Sequence, residues 1–326
     1  MNGSRNDGTA KRYLAGGILA LLFIVVLFNA FYSYSYSFHA NYSNVSVDVR
    51  VNITDSKPEI LLVTVTDPVY LSAGSTVVVQ CNATVRDWNG GATISNVSAV
   101  FYDGNEATFD SLDDHNDHYT NASCTQNVTY GDLAELANFT CNFVVYYHAN
   151  NGSNWICNVT VTDSYTFNES VNSTDDSYNT TTINPLFALN ISTNNATYTI
   201  DYGNLAVGDT SAQVPANITN IGNMDINISL KGYGRTEGDG LAVNCTIGNI
   251  TIENERYSFV EGEGWTTSTP LSSTFEMIAD FNMSQQIVDG TPVVNTTYWR
   301  LYVPPNPFGA CTGTIVFQAE ESGSLT

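Results

Sequence analysis

The residue types best able to do chemistry lie together in one short acidic stretch, Asp110–His118, which reads Asp-Ser-Leu-Asp-Asp-His-Asn-Asp-His. Carboxylate oxygens suit Ca²⁺, whereas imidazole nitrogens favour Zn²⁺ or another transition metal. The sequence therefore predicts a candidate cation site whose ligands are Asp113, Asp114, His115, Asp117 and His118. The alternative is a solvated acidic loop, because the spacing does not match that of a calcium-binding EF-hand loop.

Catalytic motifs are missing from the sequence. It contains no nucleophile elbow, no H-E-x-x-H zinc motif and no phosphate-binding loop. Glu261 and Glu263 could pair as in glycoside hydrolysis, but the run Val260–Trp265 fits a glycine-rich polar loop better. We therefore expect no enzymatic activity, and no cofactor beyond the candidate Ca²⁺ or Zn²⁺.

The cysteine count favours an oxidising compartment. An even number of cysteines predicts disulfides there, and no two are spaced as C-x-x-C for a metal. Cys81 and Cys157 each lie mid-strand, which favours a bridge between two sheets. The second expected bridge closes the excursion between these two, and the third joins the remaining pair. The six residues are Cys81, Cys157, Cys124, Cys141, Cys245 and Cys311.

Glycosylation sequons give independent support for export. About 21 of the roughly 34 asparagines after the apolar segment precede x-Ser/Thr, an excess that favours N-linked sugars. The alternative is that Asn, Ser and Thr are simply common in polar strands and turns. The predicted sites are Asn41, Asn44, Asn52, Asn96, Asn121, Asn127, Asn151, Asn168, Asn172, Asn179, Asn195, Asn217, Asn249, Asn282 and Asn295.

An uncharged apolar segment covers residues 13–32, after a basic N-terminus that contains Arg5, Lys11 and Arg12. Roughly 20 residues of helix cross a bilayer, and positive residues stay cytoplasmic. The pattern predicts a single-pass signal-anchor in the cell membrane, with residues 1–12 inside and the bulk of the chain extracellular. The alternative is a cleaved signal peptide, with Ser35-Tyr36-Ser37 as the cleavage site.

The net charge of −22 excludes one class of partner. With only 10 Lys and Arg among 326 residues, the chain cannot bind nucleic acid by neutralising phosphates. The partners that remain are the membrane, through the N-terminal helix, and other surface or envelope proteins or glycans.

The pattern after the apolar segment is all-β. Apolar and polar residues alternate over Val45–Val51 and over many later short runs separated by turn residues, which is typical of β-sandwiches. One or two helical turns are expected over Asp132–Asn138. The predicted layout is a stalk (33–45), two tandem Ig-like β-sandwich domains (46–183 and 184–320) and a tail (321–326).

Several motifs resemble known modules. Trp155–Ser164 resembles the late strand of Ig-like and PKD-like domains. The runs that resemble sandwich modules of archaeal and bacterial envelope proteins are Gly203–Thr210, Asn220–Asn223, Tyr298–Pro304 and Gly309–Phe317. The whole layout is similar to uncharacterised archaeal surface proteins. The resemblance implies adhesion, envelope structure or scaffolding, and it brings no catalytic residues. The alternative function is a ligand-binding or accessory module of a larger surface assembly.

Overall fold

The computed structural model describes residues 21–22, 24, 45–129, 135–164, 168–171, 180–193 and 198–321. Within these residues the chain is all-β, since regular structure outside the strands is limited to three helical residues and two short 3₁₀ turns. By its internal contacts the chain divides into two units, Met1–Ile53 and Thr54–Thr326.

The predicted membrane span falls almost wholly outside the described residues. Leu21, Leu22 and Ile24 are helical and exposed, and the rest of residues 13–32 is not described, nor are residues 1–12 and most of the stalk. No helix among the described residues is both long and apolar enough to span a membrane.

The strand predicted over Val45–Val51 is wrong. Residues 45–53 belong to no strand or helix, and Val45, Val47, Val49, Val51 and Ile53 are between 78% and 86% exposed. Alternation predicts a half-buried strand only where a neighbouring strand and a core are at hand. Among the described residues this segment has no ladder partner, so its apolar side faces solvent.

In the described part of residues 59–183, nine strands form two antiparallel sheets. One sheet has the order β1-β2-β6-β5. The other has the order β4-β3-β7-β8, with β9 also paired to β7. The bounds are β1 Glu59–Val65, β2 Thr76–Arg86, β3 Ile94–Asp103, β4 His118–Asn121, β5 Thr125–Thr129, β6 Leu136–Tyr146, β7 Gly152–Asp163, β8 Asn168–Val171 and β9 Thr180–Ile183.

The two sheets share one core. The inward residues of β2, β3, β6 and β7 are nearly all buried, as period-two alternation requires. Phe101 lies 4.7 Å from Trp155 and 5.5 Å from Phe143 between ring centroids. The Trp155 indole Nε1 donates to the Asn150 carbonyl at 2.9 Å, so the largest core side chain leaves no polar atom unpaired.

Two disulfides lie in or beside this core. Cys81 on β2 bonds to Cys157 on β7 and so links the two sheets. Cys141 on β6 lies opposite Cys81 in the ladder and bonds to Cys124. Cys81, Cys157 and Cys141 are fully buried. Cys81–Cys157 is the pair expected from the mid-strand positions, and Cys124–Cys141 is the bridge expected between them along the chain.

Eleven strands follow in residues 189–193 and 198–321. They form three antiparallel sheets, ordered β10-β11-β18-β15-β16, β17-β12-β20 and β14-β13-β19. The bounds are β10 Leu189–Thr193, β11 Val214–Asn220, β12 Ile226–Tyr233, β13 Leu241–Ile247, β14 Asn249–Thr251, β15 Glu255–Ser258, β16 Thr269–Pro270, β17 Glu276–Met283, β18 Val294–Leu301, β19 Phe308–Thr312 and β20 Thr314–Glu321.

The main core of this part lies between the first two of these sheets. Ile218 of β11, Ile228 of β12 and Trp299 of β18 are fully buried in it. The third disulfide joins Cys245 of β13 to Cys311 of β19, which face each other directly in the ladder. It therefore links neighbouring strands of one sheet rather than two sheets.

One further local prediction is wrong. Leu136–Asn138, expected in a helical turn, belongs to β6, because it continues the ladder with β2. Residues 198–201 have no regular structure, and Tyr198 adopts a positive φ of 50°, which a regular strand does not contain.

The bridge between the two sheets should stabilise the first nine strands strongly. Cys81→Ala/Cys157→Ala opens a link across 76 residues, and the chain-entropy model gives about 4 kcal/mol for a loop of that size. We expect a correspondingly lower denaturant midpoint for this double variant. An unchanged midpoint, measured beside a Cys245→Ala/Cys311→Ala control, would contradict the structural role given to the bridge.

Candidate functional site

The acidic stretch Asp110–His118 uses its carboxylates to hold its own backbone. Oδ1 of Asp114 accepts the N–H groups of Asn116, Asp117 and His118 at 2.9, 2.7 and 3.1 Å. A carboxylate that accepts several backbone N–H groups is characteristic of a tight turn. The loop then runs straight into β4, which begins at His118.

The histidines of this stretch point to different partners. The Nδ1 atom of buried His118 lies 2.7 Å from Asp113 Oδ1, and Asp113 also accepts the backbone N–H and the hydroxyl of Thr120. His115 stacks on Tyr146, and its Nδ1 lies 3.0 Å from Asp289 Oδ2. The two imidazoles therefore pair with different carboxylates, His118 with Asp113 and His115 with Asp289.

Asp117 lies in a third environment. It accepts a hydrogen bond from the Asn150 side chain. Burial, together with the nearby carboxylates of Asp114 and Asp103, raises the pKa of Asp117 to about 6.

The five residues predicted as metal ligands thus do not converge on one point. Over the described part of the chain, no group of three or more His, Cys, Asp or Glu side chains is arranged to hold a metal ion. The cation site of Asp113, Asp114, His115, Asp117 and His118 is therefore left without a ligand set in this structure.

This loop instead lies where the first nine strands meet the later ones. Asn116 donates to the carbonyl of buried His148, and Gln285 donates to the same carbonyl at 3.1 Å. Gln285 also reaches Asn150 at 2.7 Å, and Asn223 donates to the Ala149 carbonyl at 3.0 Å. Side-chain amides therefore join the two parts of the chain at this point.

A groove of about 960 Å³ lies in the later strands. It runs between β10 and β20 and is bordered by residues 198–207 and by β19. Ile191 and Phe317 are half-buried on its two sides, and Tyr198 and Phe308 stand exposed at its rim. Sequence reasoning missed this site because its walls are about 120 residues apart along the chain.

A buried acid lies at the base of this groove. Glu255 is 3% exposed and accepts a hydrogen bond of 2.6 Å from the Tyr202 hydroxyl. Burial raises the pKa of Glu255 to about 7, although the bond from Tyr202 acts in the opposite direction. The burial of Glu255 could have been predicted from one feature of the sequence. Glu255 and Tyr257 are two residues apart, so they point to the same side of β15, and Tyr257 is buried.

Predicted glycosylation sites occupy the surface wherever their side chains are described, with two half-buried exceptions. Asn121 and Asn295 are half-buried, and the amide of Asn121 donates to the Asn142 carbonyl at 2.9 Å. Asn41, Asn44, Asn172, Asn179 and Asn195 lie outside the described residues, and Asn168 is known only as part of β8. The exposed sites are Asn52, Asn96, Asn127, Asn151, Asn217, Asn249 and Asn282.

Glu261 and Glu263 lie in the loop after β15, with Glu261 exposed and Glu263 half-buried. Gly262 between them donates its N–H to Gln213 and adopts a positive φ of 80°. This geometry fits the glycine-rich turn that the sequence favoured over a catalytic pair.

Comparison with known proteins gives no family. No protein-family model matches the chain, and no curated protein is significantly similar to it. One solved structure, described as a chaperone–tip adhesin complex of CFA/I fimbriae, contains a chain that is 10% identical to this one. The match covers 83% of this chain and 92% of that chain with a TM-score of 0.28, which is too low to support an argument about function.

The buried acid should make stability depend on pH. Because folding raises the pKa of Glu255 from 4.5 to about 7, the folded state holds the proton more tightly. This contribution is fully present below pH 4.5 and is lost as pH rises through about 7, by roughly 3 kcal/mol at most. We expect Glu255→Gln to remove this part of the pH dependence in denaturant titrations between pH 4.5 and 8.

Glu253→Gln is the matched control, since Glu253 is exposed two residues away. If Glu255→Gln and Glu253→Gln both leave the pH profile of the unfolding free energy unchanged, the assignment of a raised pKa to Glu255 is wrong.

Proposed function

We propose that this chain is a cell-surface glycoprotein with a structural, adhesive or envelope-interaction role. The N-terminal apolar segment holds it to the cell membrane, and the bulk of the chain is extracellular. Its strands make two tandem Ig-like β-sandwiches, of the type that archaeal-type envelope proteins use. No catalytic step is part of this function.

The observation that carries the proposal is the state of the cysteines. All six are paired in three disulfides, and bridges of this kind persist outside the reducing cytosol. An all-β fold with three bridges therefore points to an oxidising, extracellular environment.

The surface is consistent with this location. Seven of the predicted sequons have exposed side chains, which is where N-linked sugars are found. The net charge of −22 keeps such a surface soluble and disfavours non-specific association.

A second candidate function is an extracellular ligand-binding or accessory module. The groove between β10 and β20 favours it, because its lining combines apolar side chains such as Ile191 and Phe317 with polar ones such as Tyr202 and Glu255, and ligand sites are concave surfaces of this kind. Tyr202 and Glu255 would then supply the polar contacts.

An unreduced peptide map of the protein from its own cells tests the proposal. We expect three bridges, sugars on exposed sequons such as Asn151, Asn217 and Asn249, and an intact N-terminus. An N-terminus that begins near Ser37 would contradict the membrane anchor but not the export of the chain. Because sugars are added only to exported chains, free thiols together with unmodified asparagines would show that the surface assignment is wrong.

A further inference from the structure

The segment Val45–Ile53 has the composition of a β-strand but no sheet. Val45, Val47, Val49, Val51 and Ile53 alternate with polar or charged residues, so they would share one side if the segment formed a strand. All five are at least 78% exposed, although burying such side chains stabilises a protein by about 1.5–3 kcal/mol each. Nine extended residues span about 30 Å, which is the length of a long strand.

The core of the later strands is open along one side. Inward residues of the inner strands, such as Ile218 of β11 and Ile228 of β12, are fully buried. By contrast, Ile191 of edge strand β10 and Ile315 and Phe317 of edge strand β20 are only half-buried. The groove lies along this incompletely covered side.

This opening is not a general consequence of being an edge strand. β17 lies at the other edge of the sheet that contains β20, and its inward residues Ile278 and Met283 are 3% and 1% exposed. The same core is therefore sealed on the β17 side and open between β10 and β20.

The backbone on the open side is suited to accept a strand. Among the described strands, β20 pairs only with β12, and its other edge borders the groove. Edge strands present N–H and C=O groups that an added chain can pair with. An extended peptide with alternate apolar residues gains ladder hydrogen bonds at such an edge, while its apolar side fills the pockets beside it.

We propose that Val45–Ile53 of one copy of this chain inserts as an additional β-strand into the groove between β10 and β20 of a second copy. The apolar residues of the segment complete the open core, and its polar residues face solvent. Asp48 and Arg50 balance each other, so the segment is neutral in an otherwise acidic chain and its docking is not opposed by its own charge.

The donor segment and the acceptor groove are different surfaces of the same chain. Such head-to-tail contacts leave a free donor at one end and a free acceptor at the other, so they build rings or open filaments rather than closed pairs. A second copy of the chain would then be the partner of the proposed surface protein. The inference depends on the proposed function in one respect, which is that the three disulfides need an oxidising compartment.

The test uses the full chain purified in detergent with its disulfides intact. Val47→Asp/Val49→Asp places two charges on the apolar side of the segment. Asp48→Glu/Arg50→Glu changes the net charge by the same two units on the polar side, keeps the Asn44 and Asn52 sequons, and is the matched control. Because all four residues are exposed, neither double variant should disturb the fold, which near-UV circular dichroism checks.

We expect sedimentation to show the wild type and the control as assemblies of at least about twice the monomer mass, and Val47→Asp/Val49→Asp as a monomer. Adding a synthetic peptide of residues 44–54 to that monomeric variant should slow amide exchange in Thr314–Phe317 by about tenfold. A peptide carrying both aspartates should leave the exchange unchanged.

A monomeric wild type would overturn the inference, whether or not its own groove is protected. So would equal masses for the two double variants, or peptide protection away from β10 and β20. None of these results bears on the surface location, which is read independently from bridges and sugars in cellular material.

Discussion

The buried Cys81–Cys157 bridge is the interaction on which the rest of the first nine strands depends. It crosses the core between β2 and β7 at the level of the Phe101, Phe143 and Trp155 cluster, so that two sheets are held face to face by covalent and apolar contacts together. Because this core is secured from inside, the outward side of each strand is free to carry polar residues and sequons. An oxidising environment is therefore a condition of the fold as well as a clue to location.

The core of the later strands is less completely covered than that of the first nine strands. Their disulfide, Cys245–Cys311, joins neighbours within one sheet and adds nothing across the core between β11, β12 and β18. That core is closed on the β17 side and open between β10 and β20, where Glu255 lies at the base of the groove. The core is open at this groove, and the alternating apolar residues of Val45–Ile53 are exposed. Insertion of this segment into the groove of a second copy would bury both apolar surfaces.

Much of the fold could be predicted from alternation and cysteine positions. Runs such as Thr76–Val85 and Ile94–Tyr102 form strands because their apolar side meets a second sheet. The strand prediction from alternation was wrong over Val45–Val51. An alternating pattern shows which side of a strand would be apolar, but it does not show whether another part of the protein covers that side. The groove could not be predicted, because it depends on how far β10, β19 and β20 cover a shared core. The metal site predicted in the acidic loop was wrong for a different reason. Its carboxylates, such as that of Asp114, accept hydrogen bonds from nearby backbone N–H groups and do not converge on one point.

The most direct test of the central claim, that the bulk of the chain lies outside the cell, uses its three lysines. Lys11 precedes the apolar segment, whereas Lys57 and Lys231 follow it. A membrane-impermeant amine reagent applied to intact cells should label exposed Lys57 and leave Lys11 unlabelled until the cells are lysed, after which mass spectrometry reads each peptide. Labelling of Lys57 only after lysis would contradict the account.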